Sequence, residues 1–226
     1  MKKLRTLLIR FEQELPAWKT PAFRGAVIEK VGRDGILFHQ HAGDQEYVYR
    51  YPLIQYKSIQ HKPAILCLGD GVDEIHKLFE KKSWVIYVND EKYELVVEKL
   101  NLGNITINVW NNSYTYTLSR WLALNEKNYE VYKTMQSELD QLAMLEKILV
   151  GNILSFAKGI DWHVDREIKV RIHELKGVKK LTYKDAQLMG FNLVFSTNVY
   201  LPEYIGLGKG VSHGFGVVRK IREKKS

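Results

Sequence analysis

The sequence predicts an α+β protein built in two halves. Across roughly the first hundred residues, short β-branched and aromatic runs alternate with apolar stripes at helical spacing. Residues 101–104, with Gly103, read as a turn between units, and a second set of strands then surrounds one long helical stretch. The expected domains are residues 1–102 and 103–226, and a chain of 226 residues can bury a core in each.

In chain order, LRTLLIRFE at residues 4–12 is short, β-prone and bounded by Pro16, so it predicts a strand. Thr20 before Pro21 predicts a helix N-cap with proline at the first helical position, and Phe23, Val27 and Val31 set the apolar stripe of a helix that stops near Gly32. ILFHQH predicts an extended segment, AGD a turn, and QEYVYRYPLIQYK a strand. Residues 64–68 add a strand, and GDGVDEIHKLFEKK a helix burying Ile75, Leu78 and Phe79. Residues 85–88 and 93–97 form a hairpin across Asn89-Asp90. The order strand, helix, strand, strand, helix, strand or hairpin is that of a split βαβ, ferredoxin-like unit with an antiparallel sheet and helices on one face.

Beyond residue 104, ITINVW and SYTYTL alternate as a hairpin around Asn111-Asn112. Residues 125–159 predict two helices or one kinked helix, with Tyr129, Tyr132, Leu139, Leu142, Leu145, Ile148 and Leu149 inward. IKVRIHEL and KKLTYKD predict another hairpin, FNLVFSTNVYLP a core strand, and GVVRKI a closing strand. No internal repeat is visible, and the second half reads as a further α+β unit.

Composition bounds the function. The opening MKKLRTLLIRFEQEL starts like a signal peptide, but Arg10, Glu12 and Glu14 interrupt it, no cleavage site follows, and no apolar run has membrane-spanning length. A soluble, cytoplasmic protein is expected, in which the sequons at Asn104 and Asn111 are accidental. The single cysteine, Cys67, lies in AILCL and reads as a buried strand residue, which excludes an intramolecular disulfide and a cysteine-built zinc site. Net charge is +8, with +5 in residues 1–33 and +5 in residues 206–226, so the basic character sits at the two ends. If the ends meet, they form one electropositive surface for a polyanion, of which nucleic acid is the natural choice.

The densest motif is GLGKGVSHGFG at residues 206–216, with five glycines in eleven residues and a basic tail behind it. Gly206, Gly208, Gly210, Gly214 and Gly216 free the backbone to point N–H groups at a phosphate, while Lys209, Ser212 and His213 add donors and Arg219 follows. It is not a P-loop, because Lys209 is followed by Gly210 and not by Ser or Thr. Nor is it a dinucleotide fingerprint, because Val211 replaces the third small residue and too little chain follows.

The spacing Gly206-Leu207-Gly208, five residues, Gly214-Phe215-Gly216 near the C-terminus of a basic chain resembles that of the CRISPR-associated endoribonucleases that process repeat RNA. Residues 51–57, YPLIQYK, also look like first-domain sequence of one branch of that family. The resemblance implies two ferredoxin-like domains in tandem, CRISPR repeat RNA as partner, and metal-independent cleavage by the ribose 2′-hydroxyl, leaving a 2′,3′-cyclic phosphate and a 5′-hydroxyl. It implies no cofactor. Other CRISPR-associated effector subunits and a second copy of the chain are further candidate partners. The alternative is a non-catalytic subunit that holds a processed guide RNA.

Such cleavage needs a base, an acid and positive charge about the phosphate. His39 and His41 are the expected pair: two apart in an extended segment, they project to one side, and two close imidazoles disfavour double protonation. The family places catalytic histidines just after the first helix, and one branch uses this spacing. A polar turn, or a metal site completed by Asp44 and Glu46, are the other readings of the segment. Tyr47 is expected to orient a histidine or touch the phosphate, unless it is an ordinary strand aromatic. Lys19, Arg24 and Lys57 are candidate phosphate contacts.

Overall fold

Alternation along the first strand decides the layering. In β1 (Lys2–Phe11), Ile9 and Phe11 face one apolar core and Leu4 faces another, with Leu7 packed on the first side and Leu8 on the second. A strand buried on both faces reads as the nearly continuous apolar run that TLLI is. The structure, a computed structural model, describes residues 1–32, 36–39 and 51–222.

After β1 come a 3-10 turn (Ala17–Lys19), α1 (Thr20–Val31), α2 (Ile36–His39), β2 (Ile54–Ile59), β3 (Lys62–Leu68), α3 (Gly71–Glu74), α4 (His76–Phe79), a hairpin of β4 (Val85–Val88) and β5 (Glu91–Glu94), and β6 (Val97–Ile107). The sheet order is β2-β3-β1-β6, antiparallel throughout. Phe23, Val27 and Val31 of α1 pack with Phe11, Tyr56 and Ile65 on one face of that sheet.

The second half runs β7 (Val109–Trp121), α5 (Glu126–Thr134), α6 (Glu138–Gly159), β8 (Val170–Tyr183), β9 (Ala186–Val199), a 3-10 turn (Val211–His213) and β10 (Val217–Lys220). Its sheet order, β10-β7-β9-β8, is the same topology as the first. The protein is thus a tandem of two ferredoxin-like units with antiparallel sheets. Leu145, Leu149, Ile153 and Phe156 form the buried stripe of α6 and pack with Tyr116, Leu118, Phe191 and Phe195 of the second sheet. Where the first unit places α3 and α4 between its third and fourth strands, the second carries residues 200–216 instead. Among the described residues no helix is long and apolar enough to cross a membrane.

Several local readings are corrected. Ile36–His39 is a helical turn rather than an extended segment, because a four-residue apolar run is compatible with either state and burial of Phe38 among the α1-side residues decides it. Residues 101–104 lie inside β6, and the chain passes from one sheet to the other at Asn108. ITINVW and SYTYTL therefore do not pair with each other; β6 pairs with β1, and β7 runs through Asn111-Asn112 to pair with β9. IKVRIHEL and KKLTYKD are likewise not a hairpin but largely one strand, β8, whose partner β9 returns across Lys184-Asp185. Thr20 is not an N-cap: the preceding 3-10 turn runs directly into α1, so Thr20 is already helical and fully buried. Leu139 is exposed, since it sits in the first turn of α6 before the buried stripe begins.

Two glycines should respond oppositely to the same change. A Cβ at Gly216, where φ is +62°, would collide with the Leu207 carbonyl. Gly216→Ala should cost about 3 kcal/mol or more. A Cβ at Gly151 in α6 meets nothing within 4 Å. Gly151→Ala should gain about 0.5–1 kcal/mol. Urea unfolding of both variants checks the pair.

Candidate functional site

The glycine-rich loop does not stand open to solvent. Gly206, Leu207, Val211, Ser212, Gly214, Phe215 and Gly216 are all buried. The loop lies across β2, the edge strand of the first sheet, and reaches the start of α1. Tyr51 donates from its hydroxyl to the Gly206 carbonyl at 2.8 Å, and Gly206 N–H donates to Gln55 Oε1 at 2.9 Å. Lys57 Nζ donates to the Val211 carbonyl at 3.2 Å. A Cβ on Gly214 would lie 2.9 Å from Thr20 Cγ2, so glycine there permits α1 and the loop to touch.

The backbone donors are largely committed within the protein. Leu207 N–H bonds Gly216 O, Lys209 N–H bonds Leu122 O, Phe215 N–H bonds Gly210 O, and Gly216 N–H bonds Arg120 O. For these groups the expectation that the loop aims its N–H donors at a phosphate is corrected: the fold of the second unit, and Gln55 in the case of Gly206, has claimed them.

What the loop does is gather cations from both halves. Arg120 sits at an irregularity in the β7–β9 pairing with φ +53°, a conformation few non-glycine residues adopt. Asn192 Oδ1 accepts its N–H at 2.8 Å, its guanidinium lies 4.4 Å from the Phe215 ring centroid, and Nη1 donates to the Ala17 carbonyl at 3.3 Å. Sequence reasoning missed Arg120, and no local signal marks it, because the irregular pairing with β9 creates its position. Tyr183, at the end of β8, meets His213 and Phe215 edge-to-face at 5.5 and 5.6 Å, and Lys209 and Lys184 lie 5.6 and 6.0 Å from its ring centroid.

Electrostatics follow from this crowding. Burial, with Arg120 adding to it, holds the Lys57 ammonium down at about 7 from an ordinary 10.5. Burial also lowers the guanidinium pKa values of Arg24 and Arg120. Burial first, then Arg24 and Lys184, pushes His213 down to about 4, so its imidazole is neutral at neutral pH and is a weak base. Its Nδ1 lies 3.1 Å from Ser212 Oγ. Among the described residues, no carboxylate forms a salt bridge with Lys57, Arg120 or His213. Positive charge gathered in this way attracts anions.

The expected residues divide accordingly. Arg24, Lys209, Ser212 and His213 come together here. Lys57 is fully buried, so it holds the loop and does not reach a phosphate at the surface. Lys19 is ion-paired with Glu91 of β5 at 2.7 Å. Arg219 lies elsewhere, 5.8 Å from the ring centroid of Tyr204, beside a separate groove of about 680 Å³ lined also by Arg10, Lys99, Lys220 and Arg222. His39 is the last residue of α2. His41 and Tyr47 lie outside the described residues. Among the described residues, no group of three or more His, Cys, Asp and Glu side chains is placed to hold a metal ion.

Family models account for both units. The Cas6b N-terminal domain model matches residues 2–106 and the Cas6b C-terminal domain model matches residues 108–221. The chain belongs to the Cas6b family. A crystal structure of Cas6b is 28% identical with a TM-score of 0.89, over 97% of this chain and 100% of that one. A second, of the CRISPR RNA processing endoribonuclease Cas6b, is 27% identical with a TM-score of 0.74, over the same shares. An uncharacterized protein of Methanocaldococcus jannaschii is 42% identical over 106 residues, 47% of this chain and 71% of its own length. In this Cas6b chain, the junction just described is where the N- and C-terminal domains of the family meet.

The buried lysine gives this junction a pH dependence. The unfolded chain keeps the Lys57 proton up to about its ordinary 10.5, whereas the folded chain releases it near 7. Between those values the unfolded state binds more protons, so stability owed to this group rises with pH; below 7 the cost of burying the charge is present in full. The wild-type melting midpoint should therefore climb, relative to Lys57→Met, from pH 7 to about 8.5. That window lies below 9.0, where the buried Cys67 thiol begins to act in the opposite sense. Parallel curves for the two proteins would contradict the assignment.

Proposed function

We propose that this protein is a CRISPR RNA-processing endoribonuclease that cuts repeat transcripts without a metal ion. The observation that carries the reading is its membership of the Cas6b family over both domains, joined to a cationic junction that takes residues from each. The likeness to a Cas6b that is an RNA-processing endoribonuclease supports the activity, and the basic side chains gathered at the junction support an RNA substrate.

In the proposed reaction the 2′-oxygen of the nucleotide before the cut attacks the adjacent phosphorus. Its proton passes to one imidazole of the His39/His41 pair. The bond from phosphorus to the 5′-oxygen breaks, and that oxygen takes a proton from the other imidazole. The products are a 2′,3′-cyclic phosphate and a 5′-hydroxyl. Tyr47 orients the pair or contacts the phosphate. Residues 1–102 supply the proton chemistry, while Arg24, Arg120 and Lys209 attract and hold the strand. His213, held neutral near pH 7, offers a contact and lacks the readily donated proton of an imidazolium, which fits this division.

Purified protein should cut cognate repeat RNA in excess EDTA and fail on RNA carrying one 2′-deoxy nucleotide before the cut. Cleavage of that substituted RNA would rule the mechanism out. His39→Ala or His41→Ala should slow single-turnover cleavage by about 10²-fold or more with binding nearly intact. Wild-type protein that binds the RNA and never cuts it would instead support a guide-holding subunit.

A further inference from the structure

Trp18 is not used by anything described so far. It is 66% exposed, while the other four tryptophans, Trp84, Trp110, Trp121 and Trp162, are half-buried or buried. It belongs to neither apolar core. A single exposed apolar residue is ordinary on a protein surface. Two features set this one apart.

The first is its seat. Trp18 occupies the middle of the 3-10 turn Ala17–Lys19, which follows Pro16 at φ −63° and is closed by Lys19 N–H donating to Pro16 O at 2.9 Å. The carbonyl just before Trp18, that of Ala17, accepts from Arg120 of the other domain, and two residues after it Thr20 meets Gly214. The backbone that carries this exposed indole is thus fixed by both domains at the margin of the cation cluster.

The second is its company. Lys19 Nζ lies 5.4 Å from the Trp18 ring centroid while paired with Glu91, and Arg120 donates one residue away. An exposed aromatic face on a fixed backbone turn, flanked by cations, matches the chemistry of an unstacked nucleobase joined to a phosphate backbone.

We infer that Trp18 is a stacking platform for one unpaired base of the RNA bound at this junction. The inference rests on the RNA-processing reading above and adds a subsite to it. Any base presents a π-face, so the platform positions the strand without reading its sequence. A stacking contact of this kind contributes binding that is equal in ground and transition states.

The test is a double-mutant cycle in the full-length protein. Trp18→Ala should weaken repeat-RNA binding by about tenfold and raise KM by a similar factor with kcat within about twofold, and Trp18→Phe should recover most of the loss. Replacing repeat nucleotides one at a time by an abasic residue should then reveal one position whose loss costs the wild type but not Trp18→Ala. RNA binding should also quench the wild-type tryptophan emission more than that of Trp18→Phe. Unchanged affinity of Trp18→Ala, or strictly additive effects at every abasic position, would overturn the platform. So would a variant that keeps RNA affinity but loses a protein partner. Wild-type protein that neither binds nor cuts repeat RNA would fail earlier, and would remove the functional reading and the platform together.

Discussion

Tyr51, Gln55 and Lys57, at the margin of the first sheet, hold the backbone of residues 206–216, and the mutual position of the two domains depends on that grip. Each bond satisfies a buried polar group, so losing one partner leaves the other unpaired in a site that water does not reach. The glycines matter here chiefly as absent side chains. They let a loop backbone lie directly on a strand edge and on the first turn of α1, closer than any Cβ allows.

That docking explains the asymmetry between two units of identical topology. The first closes its βαββαβ order with short helices over its own core. The second replaces the corresponding helix by a loop whose packing surface belongs partly to the first domain. One unit therefore contributes α1 and β2 to the junction, the other contributes Arg120, Tyr183 and the loop, and neither forms it alone.

The electrostatics are a consequence of the same packing. Arg24, Lys57, Arg120 and His213 lose hydration on assembly, and burial leads the causes that lower the pKa of each. An anion entering the site would stabilise the charged forms of Lys57 and His213, so its binding and their proton uptake would be linked. The buried lysine acts on loop position, while the two arginines keep part of their surface exposed.

The amino-acid sequence by itself determined the α+β class, the helix α1 with its stripe of Phe23, Val27 and Val31, the hairpin across Asn89-Asp90, and the family resemblance of the glycine-rich loop. These are local signals: apolar period, turn chemistry and the spacing of glycines survive without knowledge of neighbours. It misplaced whatever depends on partners. Residues 101–104 look like a boundary until β1 pairs with them, and Asn111-Asn112 looks like a hairpin tip but lies in the irregular stretch of β7 between Val109 and Tyr114, both of which pair with β9. Only the tertiary structure turned the loop from an open phosphate nest into a buried joint, buried Lys57, and put Arg120 beside Ala17, because each of these follows from contacts between residues about a hundred or more positions apart.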